Sequence, residues 1–485
     1  MPATVPTVSA GPPHVKPQPS GLLWRWAVVA AAVALVLAAP RPEGVDANSW
    51  RLLAVFFAVI VGMIVQPLPG GAMVLLGVTA TAVFGILPVG QALAGYADPV
   101  VWMVLAAFFI ARGMIKTGLG RRVAYMFIRA IGHQSVGLAY ALALTDGVLA
   151  SVIPSNGARA GGVIFPVTRS LAEAYDSRPG PTAARLGTFL MACAYQTEVI
   201  IAAMFLTGQA SNPLMATFAQ QAAGVDLNYG RWLLGALLPG LVSLAIAPLL
   251  VYRLITPEIR HTPEARQFAN TELQRMGPLS TGERFLLVIF ILTAALWASG
   301  PWHGMHYAVV ALAGIALLLI ADVLTWEDMV SERSAWDVFI WYGGLVLLAA
   351  KLGETPITRR FALASASMTE GWPWLLALAL LLLIFHYTHY GFASITAHST
   401  ALYIPFLAVL ITAGAPPLVT AASLAYFANF SAGLTHYGTT PAPVFFGAGY
   451  VTQKDWWWVG LVLSVANILI WFFLGLLWWK ILGWW

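Results

Sequence analysis

Residues 154–166 read PSNGARAGGVIFP, and residues 393–405 read ASITAHSTALYIP. Each stretch has a serine, a basic residue four positions later and a proline eleven positions later. These are Ser155, Arg159 and Pro166 in the first copy and Ser394, His398 and Pro405 in the second, 239 residues apart. Two further landmarks recur in the same order. Lys116-Thr117-Gly118 matches Lys351-Leu352-Gly353 at an offset of 235, each after an apolar run that begins near Trp102 or Trp336. Gly208 and Pro213 enclose Gln209-Ala210-Ser211-Asn212, and Gly438 and Pro443 enclose Thr439-Thr440-Pro441-Ala442, at an offset of 230. Three ordered landmarks argue for a duplicated fold, since a solenoid unit repeats at roughly 20–50 residues. A polar break carrying a cation in each copy suits a carrier that builds a two-sided pocket for a small anion.

Composition sets the solvent. The chain has 485 residues, of which 59% are hydrophobic and 9% charged, with a mean hydropathy of +0.79. A soluble protein carries about 25% charged residues, so this chain is expected to be an all-α integral membrane protein in contact with lipid. The net charge of +5 implies no nucleic-acid partner, because Lys and Arg cluster between apolar runs, where they act as topology signals. The single cysteine, Cys193, excludes an internal disulfide and reads as packing. There is no phosphate-binding loop to power an ATP-driven pump. His386, His389, His398 and His436 lack metal-ligand spacing, so no metal is expected. The Trp-rich end, Trp456 to Trp485, resembles an interfacial aromatic belt.

Apolar runs of about 17–25 residues place spans near 22–40, 51–67, 71–89, 100–116, 230–254, 285–300, 306–323, 335–352 and 456–482. Residues 1–21 read as a disordered tail, and 22–50 as a first transmembrane helix and loop, not a cleaved signal. Residues 51–254 form repeat 1, with a re-entrant hairpin at 135–170 and a broken helix at 185–222. Residues 255–284, rich in Arg and Glu, read as a cytosolic linker. Residues 285–485 form repeat 2, with a hairpin at 372–411 and a broken helix at 415–450. Amphipathic segments at 117–134 and 355–369 suit the membrane interface. The total is about eleven transmembrane helices plus two hairpins. Five spans per repeat invert the second copy, so the hairpins enter from opposite faces.

The candidate site follows from the breaks. Ser155, Asn156 and Gly157 at one tip, and Ser394 and Thr396 at the other, offer hydroxyl and amide groups that suit a carboxylate or Na⁺; the alternative is a loop that satisfies its own backbone. Arg159 and His398 would present two cationic poles to a dicarboxylate. Against this, Arg159 could snorkel or pair with Asp146, and His398 could be a core histidine. Gln209, Ser211 and Asn212, with Thr439, Thr440 and Pro441, lie beside half-helix N-termini that favour anions.

The segments FASITAHSTALYIPFLAVLITAGAPPL (392–418) and LAYFANFSAGLTHYGTTPAPVFFGAGYV (424–451) resemble the divalent anion/sodium symporter family, in the branch of citrate/succinate and tartrate/succinate antiporters and plastid 2-oxoglutarate/malate translocators. The resemblance runs from about residue 50 to the C-terminus. It implies scaffold and transport domains, a homodimer, an elevator movement, and Ser-Asn-Thr signatures at the hairpins. Both signatures are altered here: Gly157 stands for threonine and Ile395 for asparagine. Each loses an oxygen ligand, which disfavours Na⁺ as a cofactor. Fixed cations in its place would hinder return of the empty carrier and hold it to exchange. The expected function is Na⁺-independent antiport of malate, succinate, 2-oxoglutarate, citrate or tartrate across a bacterial inner membrane. The alternatives are a Na⁺-coupled dicarboxylate or sulfate symporter of the same fold and, distantly, a membrane enzyme.

Overall fold

The computed structural model describes residues 19–357, 360 and 371–485. Most of the 1–21 tail and most of the expected amphipathic segment at 355–369 lie outside these residues. Among the described residues the chain is helical, and its sole β-type pairing is an isolated bridge between Gln134 and His261. Nine helices among the described residues are long and apolar enough to cross a membrane, with four shorter apolar helices beside them.

The chain begins with α1 (Pro19–Ala38), α2 (Ala47–Val65), α3 (Gly70–Val83) and α4 (Pro99–Thr117). Asp46 caps α2 by accepting from Ser49 N, and Asp98 caps α4 by accepting from Val100 N. Capping satisfies backbone donors that a helix cannot pair within itself. Gly118 ends α4 in the left-handed conformation that glycine adopts without Cβ strain. The amphipathic α5 (Leu119–Ile131) follows, with Leu119, Ala124 and Ile128 buried and Arg121, Met126 and Arg129 exposed.

A helical hairpin comes next. Its first arm is α6 (Ser135–Ala150). Its second arm, α7, runs from Asn156–Arg159 through a π turn at Ala160–Ile164 into Phe165–Ala174. Pro166 has no N–H to offer the turn before it, and the helix widens there. The first broken helix is α8 (Gly187–Met204), a 3₁₀ turn at Leu206–Gly208, and α9 (Ser211–Ala223). The first half closes with α10 (Tyr229–Leu254).

The charged stretch at 255–284 is more structured than a bare tether. It holds α11 (Glu264–Met276) and the start of α12 (Thr281–Ala298). It is fastened to α5: Arg122 donates to both carboxylate oxygens of Glu283 at 2.6 and 3.1 Å and to Gly277 O at 2.9 Å. Thr262 Oγ1 donates to Gly132 O at 2.8 Å. A bidentate Arg–carboxylate pair fixes orientation as well as distance.

The second half repeats the plan with α13 (Tyr307–Ile320), α14 (Arg333–Gly353), a hairpin of α15 (Trp374–Tyr387) and α16 (Ile395–Thr412), and a broken helix of α17 (Pro417–Ser431), a 3₁₀ turn at Ala432–Leu434 and α18 (Pro441–Gly447). The last helix, α19, starts as Gln453–Leu469 and passes through a π turn at Ile470–Gly475 into Leu476–Ile481.

The broken helices form the centre. α8 is 94% buried, against 33% for α12, and every residue of α17 from Val419 to Ser431 is buried. They are joined across the repeat: Tyr195 Oη donates to Ala432 O at 2.6 Å, and Gln196 Nε2 to Gly433 O at 3.0 Å. In the second copy Tyr426 Oη donates to Trp232 O at 2.8 Å. The Tyr195 and Gln196 bonds satisfy carbonyls freed by the second break, which lipid could not do.

Candidate functional site

The two signature serines do the same local job. Ser155 caps α7, its Oγ accepting from Ala158 N at 3.1 Å, and Ser394 caps α16, its Oγ accepting from Ala397 N at 3.4 Å. Both hydroxyls act only as acceptors among the described residues, so each retains a proton to donate. Both side chains are partly exposed.

The breaks then cross-link the hairpins. Gly208 O, in the first break, accepts from Arg159 Nη1 of its own half's hairpin at 2.6 Å. Three residues on, Ser211 Oγ meets Thr396 Oγ1 of the other hairpin at 2.8 Å. The second break mirrors this. Gly438 O lies 2.9 Å from His389 Nε2 of its own half, while Thr439 Oγ1 accepts from Asn156 Nδ2 of the first hairpin at 3.0 Å. Gly157 packs beside Thr440, whose Cγ2 would lie 3.1 Å from a Cβ at position 157. Each break is thus held by its own hairpin on one side and the opposite tip on the other.

The predicted residues therefore fall into two pairs of helix starts. Asn156 and Gly157 on α7 lie against Thr439 and Thr440, just before Pro441 opens α18, and Ser211 on α9 lies against Thr396 on α16. Ser155, Gly157, Ser394 and Thr396 are partly accessible and Thr440 is exposed, while Pro441 is buried. Asn212 points away. Its Nδ2 donates to Ala202 O and Phe205 O at 2.7 and 2.9 Å, and its Oδ1 accepts from Asn429 Nδ2 at 2.9 Å. Gln209 completes that amide cluster through Asn429 Oδ1. Asn212 belongs to the frame under the site.

The geometry corrects the reading of Arg159 and His398 as poles that touch substrate. The Arg159 side chain is 0% exposed. Its Nε donates to Asp146 Oδ1 at 2.8 Å, its Nη1 to Ile153 O and Gly208 O at 2.9 and 2.6 Å, and its Nη2 lies 3.5 Å from Glu198 Oε1. His398 is likewise fully buried, with Nε2 2.9 Å from Phe385 O and 3.2 Å from Thr388 Oγ1. A buried charge without protein partners is costly, so the chain surrounds the guanidinium with oxygens. Arg159 ties its arm to both the preceding turn and the break. In the second copy those tasks are divided: His398 holds Phe385 O and His389 holds Gly438 O, their rings in edge contact at 5.0 Å.

The sequence reading missed Glu198, His389 and Asn429 as parts of this frame. Glu198 is an acid inside an apolar helix, a signal in itself. In the sequence His389 reads only as one of a histidine run without metal-ligand spacing; the fold gives it Gly438 O as a partner. His436 instead accepts from Trp457 Nε1 at 3.0 Å.

Comparison with known proteins agrees with this architecture. The dicarboxylate transporter 1 of Arabidopsis thaliana chloroplasts is 40% identical over 493 residues, covering 100% of this chain and 88% of the relative. A Bacillus subtilis protein named for malate transport, YflS, is 44% identical over 460 residues, covering 94% and 96%. The L-tartrate/succinate antiporter of Shigella sonnei is 31% identical over 481 residues, covering 95% and 99%. Among solved structures, the YdaH transporter of Alcanivorax borkumensis shares the fold, with a TM-score of 0.54, 13% identity and coverage of 96% and 99%. Residues 20–485 match the sodium:sulfate symporter transmembrane region, and the chain belongs to that family of membrane transporters.

Proposed function

We propose that this chain exchanges small dicarboxylates one for one across a membrane without Na⁺. The observation that carries the proposal is the cross-paired set of helix starts. Each helix N-terminus carries about half a positive charge. On a dicarboxylate bound between the two pairs, the N-termini of α7, α9 and α16 would together offset about one and a half of its two charges. Ser155, Ser394, Thr396 and Thr440 supply hydroxyl donors, and Gly157 leaves room for the anion to approach the backbone. The relatives named for malate, dicarboxylates and tartrate/succinate agree with a substrate of this size and charge.

Arg159 supports independence from Na⁺. Ile153 O, Gly208 O and Asp146 Oδ1 around it are the kind of oxygens that ligate a hard cation. A guanidinium already sits among them. The positive helix ends are fixed in the protein and cannot leave when the substrate does, so the empty carrier would move uncompensated partial charge across the bilayer. That penalty holds the cycle to exchange. We further propose that the hairpins are re-entrant and move with the broken helices as a transport unit against a scaffold. The assembly we propose is a homodimer in a bacterial inner membrane. Pocket shape would choose among malate, succinate, 2-oxoglutarate, citrate and tartrate.

The test is counterflow of labelled succinate into proteoliposomes, with and without internal unlabelled dicarboxylate and with and without Na⁺. Uptake that needs the internal anion and ignores Na⁺ is the expected result. Na⁺-driven uptake into empty vesicles would overturn the proposal and favour a symporter.

A further inference from the structure

The cluster behind the first hairpin tip holds two acids and one base. Asp146, from α6, and Glu198, from α8, are both within 2% of complete burial, and Arg159 between them is the cation they share. Asp146 Oδ2 and Glu198 Oε2 have no hydrogen-bond partner. The Arg159–Asp146 contact is short, at 2.8 Å, whereas Glu198 stands 3.5 Å from the guanidinium. With both acids ionised the cluster carries one uncompensated negative charge at membrane depth, which is expensive. The corresponding basic residue of the second copy, His398, has Phe385 O and Thr388 Oγ1 as its hydrogen-bond partners, so the surplus acid is particular to the first half.

Glu198 also lies beside the Asn156 amide. Asn156 opens α7 and reaches Thr439 across the anion site. In the empty carrier the positive end of α7 faces the surplus carboxylate. A bound anion competes for that same end and adds its own negative charge nearby. Occupancy of the two sites is then linked, and the linkage is reciprocal.

We infer that Glu198 is a proton-binding site coupled to the anion site: a proton from bulk water settles on its free carboxylate oxygen when a dicarboxylate binds at the hairpin tips, and leaves when the anion leaves. The inference rests on the proposed position of the anion site. The other groups facing Glu198 are Asp146 and Arg159 from the hairpin and Tyr195 on its own helix. On further elements packed against α8, Arg169 and Glu173 pair with each other at the surface, Tyr426 donates to Trp232 O, and Lys454 is exposed at the start of α19.

The test is titration calorimetry of the full-length purified carrier with succinate, in buffers of differing ionisation enthalpy, which reads the protons taken up per anion bound. Work above about pH 6.5 keeps both substrate carboxylates ionised. The expected result is an uptake approaching one proton per succinate, abolished in Glu198→Gln. Asp146→Asn leaves one acid to one base and is expected to abolish it too, so it serves if Glu198→Gln fails to fold. Binding without proton uptake at every pH, or uptake unchanged in both variants, would overturn the inference. Absence of binding by every dicarboxylate would instead overturn the proposed function, so the two failures are distinguishable.

Discussion

Replacing Arg159 with methionine separates a structural cation from a substrate ligand. The guanidinium donates to Asp146, Ile153 O and Gly208 O at 2.6–2.9 Å with its side chain fully buried. Its loss strands a buried carboxylate and two backbone acceptors. Breaking a buried ion pair from one side costs about 3–5 kcal/mol. At about 1.4 kcal/mol per tenfold, the folded-to-unfolded ratio should fall at least a hundredfold. The assay is equilibrium unfolding of the detergent-purified protein, read by tryptophan fluorescence, with the folded fraction checked by size-exclusion chromatography. The triple variant Arg159→Met, Asp146→Leu, Glu198→Met removes the stranded charges. It should recover most of the loss, because an apolar replacement of a buried ionic cluster is often neutral. If Arg159→Met folds as stably as the parent and loses only exchange, the side chain acts on substrate and the structural reasoning fails.

The other expectations are narrower. Gly157→Ala places a Cβ 3.1 Å from Thr440 Cγ2, so exchange should drop several-fold in proteoliposomes at normal protein yield, and Thr440→Ser should restore part of it by removing that methyl. Asn156→Ala and Thr439→Val each break the 3.0 Å bond between the halves. A double-mutant cycle on succinate affinity should give a coupling of about 1 kcal/mol, and additive effects would refute the link. A Cβ at Gly95 would lie 2.0 Å from Gly343 O, so Gly95→Ala should reduce the yield of folded protein, measured by size-exclusion chromatography, whereas Gly90→Ala, with open space around it, should not. Asp328 lies outside the spans, and hydrogen bonds from Lys116 and Thr325 hold its carboxyl down to about 2 against the desolvation of burial. Its contribution to stability is therefore present above the ordinary carboxylate range and lost as pH falls through about 2. Thermal unfolding of the parent and Asp328→Asn should differ at neutral pH and converge in strong acid.

Much of the architecture was legible because membrane solvent simplifies the problem. Apolar runs of spanning length announce helices, and a repeated Ser-x₃-basic-x₆-Pro pattern announces a duplicated break. The paired serines, 239 residues apart, prove to be helix caps in both copies. Local chemistry determines that outcome, since a serine before a helical run accepts from a donor three residues later. The charged stretch at 255–284 was harder to place. Polar composition marked it as lying outside the bilayer, but its docking depends on Arg122, more than 130 residues earlier in the chain, meeting Glu283.

The sequence by itself determined an all-helical membrane protein built from two related halves, with polar breaks at known positions. Hydropathy and local capping are properties of neighbouring residues, and neighbours are what a sequence displays. Only the tertiary structure decided which polar groups stay accessible at the helix starts and which hold the frame. Arg159 turned inward because Asp146 and Glu198 approach it from two other helices. His389, and not His398, holds the second break, because Gly438 O comes within its reach. Asn156 met Thr439, and Ser211 met Thr396, across separations of 283 and 185 residues. Burying an unpaired polar group costs the same wherever its partner lies in the chain, so these pairings follow the packing of the two halves and not the order of their residues.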